Sequence, residues 1–104
     1  MDYNVIMTER AKEQLDAITY YILYQFKSRQ AAENVLNDVE KTINKLEYAA
    51  GSLPICQDIY LAGKGYHKIP LEKHNYVMLY RIEDEKDVII SGIFHMMEEY
   101  QTKL

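Results

Sequence analysis

The apolar positions of this 104-residue chain change rhythm about two-thirds of the way along. Tyr3 to Met7 (YNVIM) has the β-branched and aromatic content of a short strand and stops at Thr8. Thr8 suits a helix N-cap, and Glu9 puts an acid in the first turn, where the helix dipole favours it. From there Ala11, Leu15, Ile18, Ile22 and Phe26 form one amphipathic stripe. Lys27 and Ser28 interrupt it, and Ser28 can cap a second helix. Its stripe is Ala32, Val35, Leu36, Val39, Ile43 and Leu46, with Glu33, Asn37, Glu40, Lys41, Asn44 and Glu47 opposite. Gly51 marks the stop, and Pro54 blocks continuation. Two helices joined by a tight turn make a helical hairpin. Ser52 to Gly65 shows no periodicity and reads as a connecting loop.

Beyond residue 65 the period becomes two. Tyr66 to Tyr100 reads as three strands joined by short polar turns, one at Lys73–His74 and one in the acidic Glu83–Asp87 stretch. The first turn pairs Leu71 with Tyr76, Ile69 with Met78 and His67 with Tyr80. The second puts Tyr80 opposite Ile90 and Met78 opposite Gly92. One face then collects Ile69, Leu71, Tyr76, Met78, Tyr80, Ile82, Val88, Ile90 and Phe94, and is expected to form the core beneath the helices. The other carries Tyr66, Lys68, Pro70, Val77, Leu79, Arg81, Ile89, Ser91, Ile93 and His95. The order β-α-α-β-β-β predicts an α+β fold, a helical hairpin packed on one face of a mainly antiparallel four-stranded sheet. The second face is too apolar for plain solvated surface, and no element obviously covers it. A docking site for another chain is the expectation.

Length and composition narrow the function. Residues 1–104 fit a single domain, 48% hydrophobic and 27% charged, as in soluble globular proteins. No apolar run approaches the roughly 18 residues of a membrane span, and the start lacks a signal-peptide pattern, so a cytoplasmic protein is expected. The single Cys56 allows no internal disulfide and no multi-Cys zinc site, and reads as a small apolar filler. Tyr20, Tyr21 and Tyr24 read as residues flanking the buried stripe with their hydroxyls in water, rather than as a base-stacking platform. A net charge of −4 excludes a broad nucleic-acid footprint. Locally, though, Lys64 to Arg81 holds four Lys and Arg against one acid, Glu72. His67, His74 and His95 match no metal-ligand spacing, and no metal or cofactor is expected. Were the basic strip catalytic, His95 or His67 would supply acid–base chemistry on a phosphodiester, with Lys68 and Arg81 stabilising charge.

Order and spacing together resemble the RelE/ParE superfamily of bacterial type II toxin–antitoxin toxins over nearly the whole chain. The residues that carry it are the opening strand with Thr8, Glu9, Arg10 and Ala11; Ala31 and Ala32 opening the second helix; Leu53–Pro54; and the terminal sheet. In the sheet they are Gly65 to Leu71 (GYHKIPL), Asn75 to Ile82 (NYVMLYRI), Ile93-Phe94-His95 and Tyr100. The resemblance implies a plasmid-stabilisation type of toxin held inactive by a cognate antitoxin, with Tyr66, Pro70, Val77, Leu79, Ile93 and Tyr100 as its contacts. A homodimer, or a heterotetramer with the antitoxin, is the implied assembly. RelE-like members cleave mRNA on the ribosome, whereas ParE-like members inhibit DNA gyrase. This chain keeps Lys68, but Pro70 and Val77 stand where the ribonuclease branch usually places Lys and Arg, and Met96 or Met97 where it places an Arg. His95 and Tyr100 match positions at which other branches carry a His and an aromatic residue. Glu98 and Glu99 in turn replace the Arg residues of the ParE type. A ParE-like or divergent toxin directed at gyrase is the expectation, with a ribosome-dependent mRNA endoribonuclease as the alternative.

Overall fold

The computed structural model describes residues 2–53, 55–56 and 59–97. Strand β1 (Asn4–Met7) leads into helix α1 (Glu9–Phe26), and α2 (Arg29–Ala49) returns alongside it. Both helices start where the sequence places them: the Thr8 hydroxyl accepts from Ala11 N–H and the Ser28 hydroxyl from Ala31 N–H, each at 3.1 Å. Lys27 closes α1 in the left-handed conformation. A 3-10 turn at Ala50–Ser52 follows α2, then a five-residue helix α3 (Ile59–Gly63), and strands β2 (His67–Pro70), β3 (Tyr76–Glu83) and β4 (Asp87–His95).

The sheet order is β1-β4-β3-β2. The meander is antiparallel as expected, and β1 lies parallel to β4, so the sheet is mixed. Helices α1 and α2 cover one face. Their core takes Ala11, Ile22, Val35, Val39 and Leu46 from the helices and Ile69, Met78, Tyr80, Val88 and Ile90 from the strands. The buried face of α2 is rotated from the sequence stripe. Leu36 is exposed, and Asp38 and Thr42 are buried in its stead. Phe26, the last residue of the α1 stripe, is 64% exposed. Tyr20, Tyr21 and Tyr24 are also exposed, with the Tyr20 hydroxyl donating to that of Tyr24 at 2.9 Å.

The largest departure from the sequence reading lies in β4. Leu79 pairs with Gly92 but Tyr80 with Ile90, so Ser91 is an extra residue, a β-bulge. Side chains alternate along a strand, so one extra residue moves everything after it to the opposite face. Met78 accordingly faces Ile93 and not Gly92. Ile93 joins the helix-side core, and Phe94 crosses to the second face opposite Val77. His95 crosses as well and pairs with Tyr76 on the helix side.

The bulge lies just beyond the end of β1, which pairs with β4 only as far as Ile90. Thr8 finishes that edge, donating its N–H and its hydroxyl to the Ile90 carbonyl at 3.1 and 3.0 Å. Further on, Gln14 of α1 accepts from Ile93 N–H at 2.9 Å. A leucine at position 14 would leave that donor unmade, and Gln14→Leu is expected to lower stability by about 1–3 kcal/mol. A shift in the urea midpoint at unchanged m-value measures it.

The second face is not bare. Ser52 to Gly65 was expected to be a connecting loop, but its described residues 55–56 and 59–65 fold over this face: Ile55 bridges His67, Cys56 N–H donates to Tyr66 C=O at 2.9 Å, and Leu61 of α3 is fully buried. Cys56, Leu61, Val77, Leu79 and Phe94 form a second core, with Tyr66 packed against it.

Candidate functional site

Beyond this cover, the second face opens onto a depression of about 280 Å³ lined by Lys68, Pro70, Val77 and Met96. Pro70 has no N–H to offer at the sheet edge. Lys68 stands on the same strand two residues earlier, half-buried, and Met96 leans in from the end of β4. Elsewhere among the large apolar side chains Ile55, Ile59, Tyr60 and Met97 are exposed, and Ile59 is 89% open to solvent. Lys64 lies over the Tyr60 ring at 4.4 Å. The result is an apolar rim carrying a few cations.

Arg81 belongs to the same face, further along β3. Its guanidinium stands 5.5 Å from the centre of the Tyr66 ring, and its buried Nε has no hydrogen-bond partner among the described residues. Ring contact substitutes only weakly for a hydrogen bond, so Arg81 holds donor capacity in reserve.

The histidines lie elsewhere. His67 stacks on Tyr80 in the helix-side layer at 5.1 Å, and its Nδ1 donates to the Leu53 carbonyl at 3.1 Å. His95 meets Tyr76 edge-on at 5.3 Å, and its Nδ1 accepts from Met97 N–H. The two candidate acid–base groups therefore occupy one side of the sheet and the two candidate cations the other. Beneath His67, Tyr80 is fully buried and donates to the Ala50 carbonyl at 2.8 Å, and burial pushes its phenol well above the usual range.

Of the residues expected to contact a partner, Pro70 lies on the open rim and Tyr66 at its border. Val77 and Leu79 are on the expected face but buried in the smaller core, Val77 as the floor of the depression, so they support the surface more than they present it. Ile93 is in the helix-side core, moved there by the bulge. Tyr100 falls outside the described residues. Among the described residues, no three His, Cys, Asp or Glu side chains gather where a metal ion could sit, and no helix is long and apolar enough to cross a membrane.

Sequence reasoning passed over a second polar cluster. Asp38 of α2 is 3% exposed and accepts three hydrogen bonds from the β2–β3 turn. These come from Glu72 N–H at 3.2 Å, Lys73 N–H at 2.9 Å and His74 Nδ1 at 2.6 Å. Burial alone would raise the Asp38 carboxyl. The His74 hydrogen bond, the Lys73 N–H, the His74 charge and the Glu72 N–H outweigh it and hold the group below the ordinary carboxylate value. One signal was available: Asp38 is three residues after Val35 and four before Thr42, on the face that packs inward.

The profile of the ParE toxin of type II toxin–antitoxin system, parDE, matches residues 5–100 of the chain. In three dimensions the chain is similar to one from the chromosomal ParDE TA system from P. aeruginosa, with a TM-score of 0.75 and 18% identity. The likeness covers 90% of this chain and 96% of the other, and at that identity it concerns the fold. No curated protein matches by sequence.

Proposed function

The chain belongs to the ParE toxin family of type II toxin–antitoxin systems, and from that premise we propose that it arrests growth by binding DNA gyrase and that a cognate antitoxin neutralises it by covering the rim of the second face. The carrying observation is that depression, lined by Pro70, Met96, Val77 and Lys68, on a molecule that also leaves Ile55, Ile59, Tyr60 and Met97 exposed. Clustered apolar side chains in water favour a protein partner, and an antitoxin segment fits both the apolar rim and its cations, Lys64 and Lys68. The action is cytoplasmic, on the protein alone or released from a heterotetramer with the antitoxin.

Binding in place of cleavage is supported by the separation of His67 and His95 from Lys68 and Arg81 across the sheet. Acid–base cleavage needs those groups around one phosphate. The net charge of −4 also suits a protein target better than the phosphate surface of a ribosome.

Expression of the chain alone should arrest growth, and the purified chain should inhibit supercoiling by gyrase. Co-expression with the antitoxin from the adjacent reading frame should relieve the arrest. Met96→Asp puts a charge on the rim outside both cores and should weaken antitoxin capture about tenfold or more while leaving thermal stability unchanged. New cleavage sites on translated mRNA with normal supercoiling would replace the gyrase reading by the endoribonuclease one.

A further inference from the structure

On the side of the molecule away from the rim, α2 and the β2–β3 turn enclose a cleft of about 340 Å³ lined by Asn34, Asn37, Asp38, Lys41, Lys73 and His74. Asp38 is its only acid, and both of its oxygens are already engaged by the turn. The Asp38 carboxylate faces the turn with three of its acceptor sites, and Nδ1 of His74 is fixed toward it, which leaves the other ring nitrogen for the cleft. Asn34 Oδ1 accepts from Gln30 at 2.9 Å, so its amide nitrogen is the end left for a ligand. What remains is two ammonium groups from different elements, two amides and an imidazole. Glu72 lies with Lys45 in a separate depression that shares Lys41 with this cleft.

An apolar notch of about 240 Å³ adjoins this cleft and shares Asn34 and His74 with it. Its remaining walls are Ile22, Phe26, Ala31 and Val35. The Phe26 ring, left largely in water at the end of α1, forms one of them.

We propose that the cleft and the notch together bind a small phosphate monoester with a flat apolar body, a ligand of the mononucleotide class. The phosphate sits between Lys41 and Lys73, with the Asn34 and Asn37 amides donating to its remaining oxygens and the His74 ring at its edge. Several donors converging from two elements suit a multiply charged, many-oxygen anion better than a single carboxylate. The ring system lies against Phe26 in the notch, which covers an aromatic surface that the protein's own packing leaves open. The cleft falls in the size range of small-ligand sites, and the notch extends it. This site is separate from the rim and independent of the gyrase reading.

The test is a titration of the purified chain, followed by backbone amide and His74 imidazole NMR signals, with AMP, adenosine and inorganic phosphate as probes. AMP should give saturable shifts confined to residues 26–41 and 72–74, with a Kd about tenfold or more below that of either fragment. Lys41→Glu and Lys73→Glu should each weaken AMP about tenfold. Phe26→Ala should bring AMP down to the level of inorganic phosphate. All three side chains are exposed, and unchanged thermal unfolding confirms that the variants fold. The proposal is overturned if AMP, GMP and UMP all fail to shift these signals. Equal affinity in the lysine variants overturns it too, as does an acidic peptide that occupies the cleft where the nucleotides do not.

Discussion

Phe94→Ala should destabilise the protein by about 3–5 kcal/mol, the usual range for removing a buried phenylalanine. The ring is 2% exposed and shares the smaller core with Leu79, Val77, Cys56 and Leu61, so its loss opens a cavity in that core. Gly92 lies under the same ring. A Cβ there would come within 2.8 Å of Phe94 Cζ and closer still to Cε2, and 3.1 Å from Gln14 Oε1. Gly92→Ala should therefore cost about 1–3 kcal/mol through overpacking in the intact protein. In the Phe94→Ala background most of that cost should vanish, because the obstructing ring is gone. A double-mutant cycle in urea reads the coupling; simple additivity of the two changes would contradict this packing.

Asp38→Asn is expected to cost about 3 kcal/mol at neutral pH, because an amide presents one acceptor oxygen where three donors converge and carries no charge for His74. The acid side of the stability profile should change with it. The folded carboxyl titrates below its unfolded counterpart, so its contribution is complete above about pH 3.9 and is lost as pH falls through the lower folded value. Wild type and variant should thus converge in urea midpoint between about pH 4 and pH 2. A gap that persists undiminished to pH 2 would mean that the carboxylate's charge contributes nothing.

Much of this architecture was legible in the sequence because it rests on local rules. Thr8 and Ser28 cap as their side chains dictate, and the Lys73–His74 turn fixes the β2–β3 register that was expected. The faces were read correctly up to Ile90, since alternation propagates reliably along a regular strand. It failed at Ser91, where one inserted residue with no distinctive side chain inverts Ile93, Phe94 and His95. The catalytic grouping of His95 with Lys68 and Arg81 depended on that face assignment, and the geometry does not bring them together. Helix α3 went unseen because five residues are too few for a period to register. Asp38 sits on the inward-packing face of α2, but its role shows only through three partners more than thirty residues away in sequence. Phe26 had the right period to be core, but the helix ends before anything can pack over it.

The pairing of β1 with β4 places the first strand made beside the last. Among the described residues strand β1 has no other strand neighbour, and the apolar face of α1 also packs on β4. At about 5–20 residues per second, the interval between synthesis of Met7 and of Asp87 is on the order of ten seconds. Throughout that time the helical hairpin has no sheet to close on. The buried apolar face of the hairpin therefore waits, unclosed, until the strand that both β1 and α1 pack against has been made.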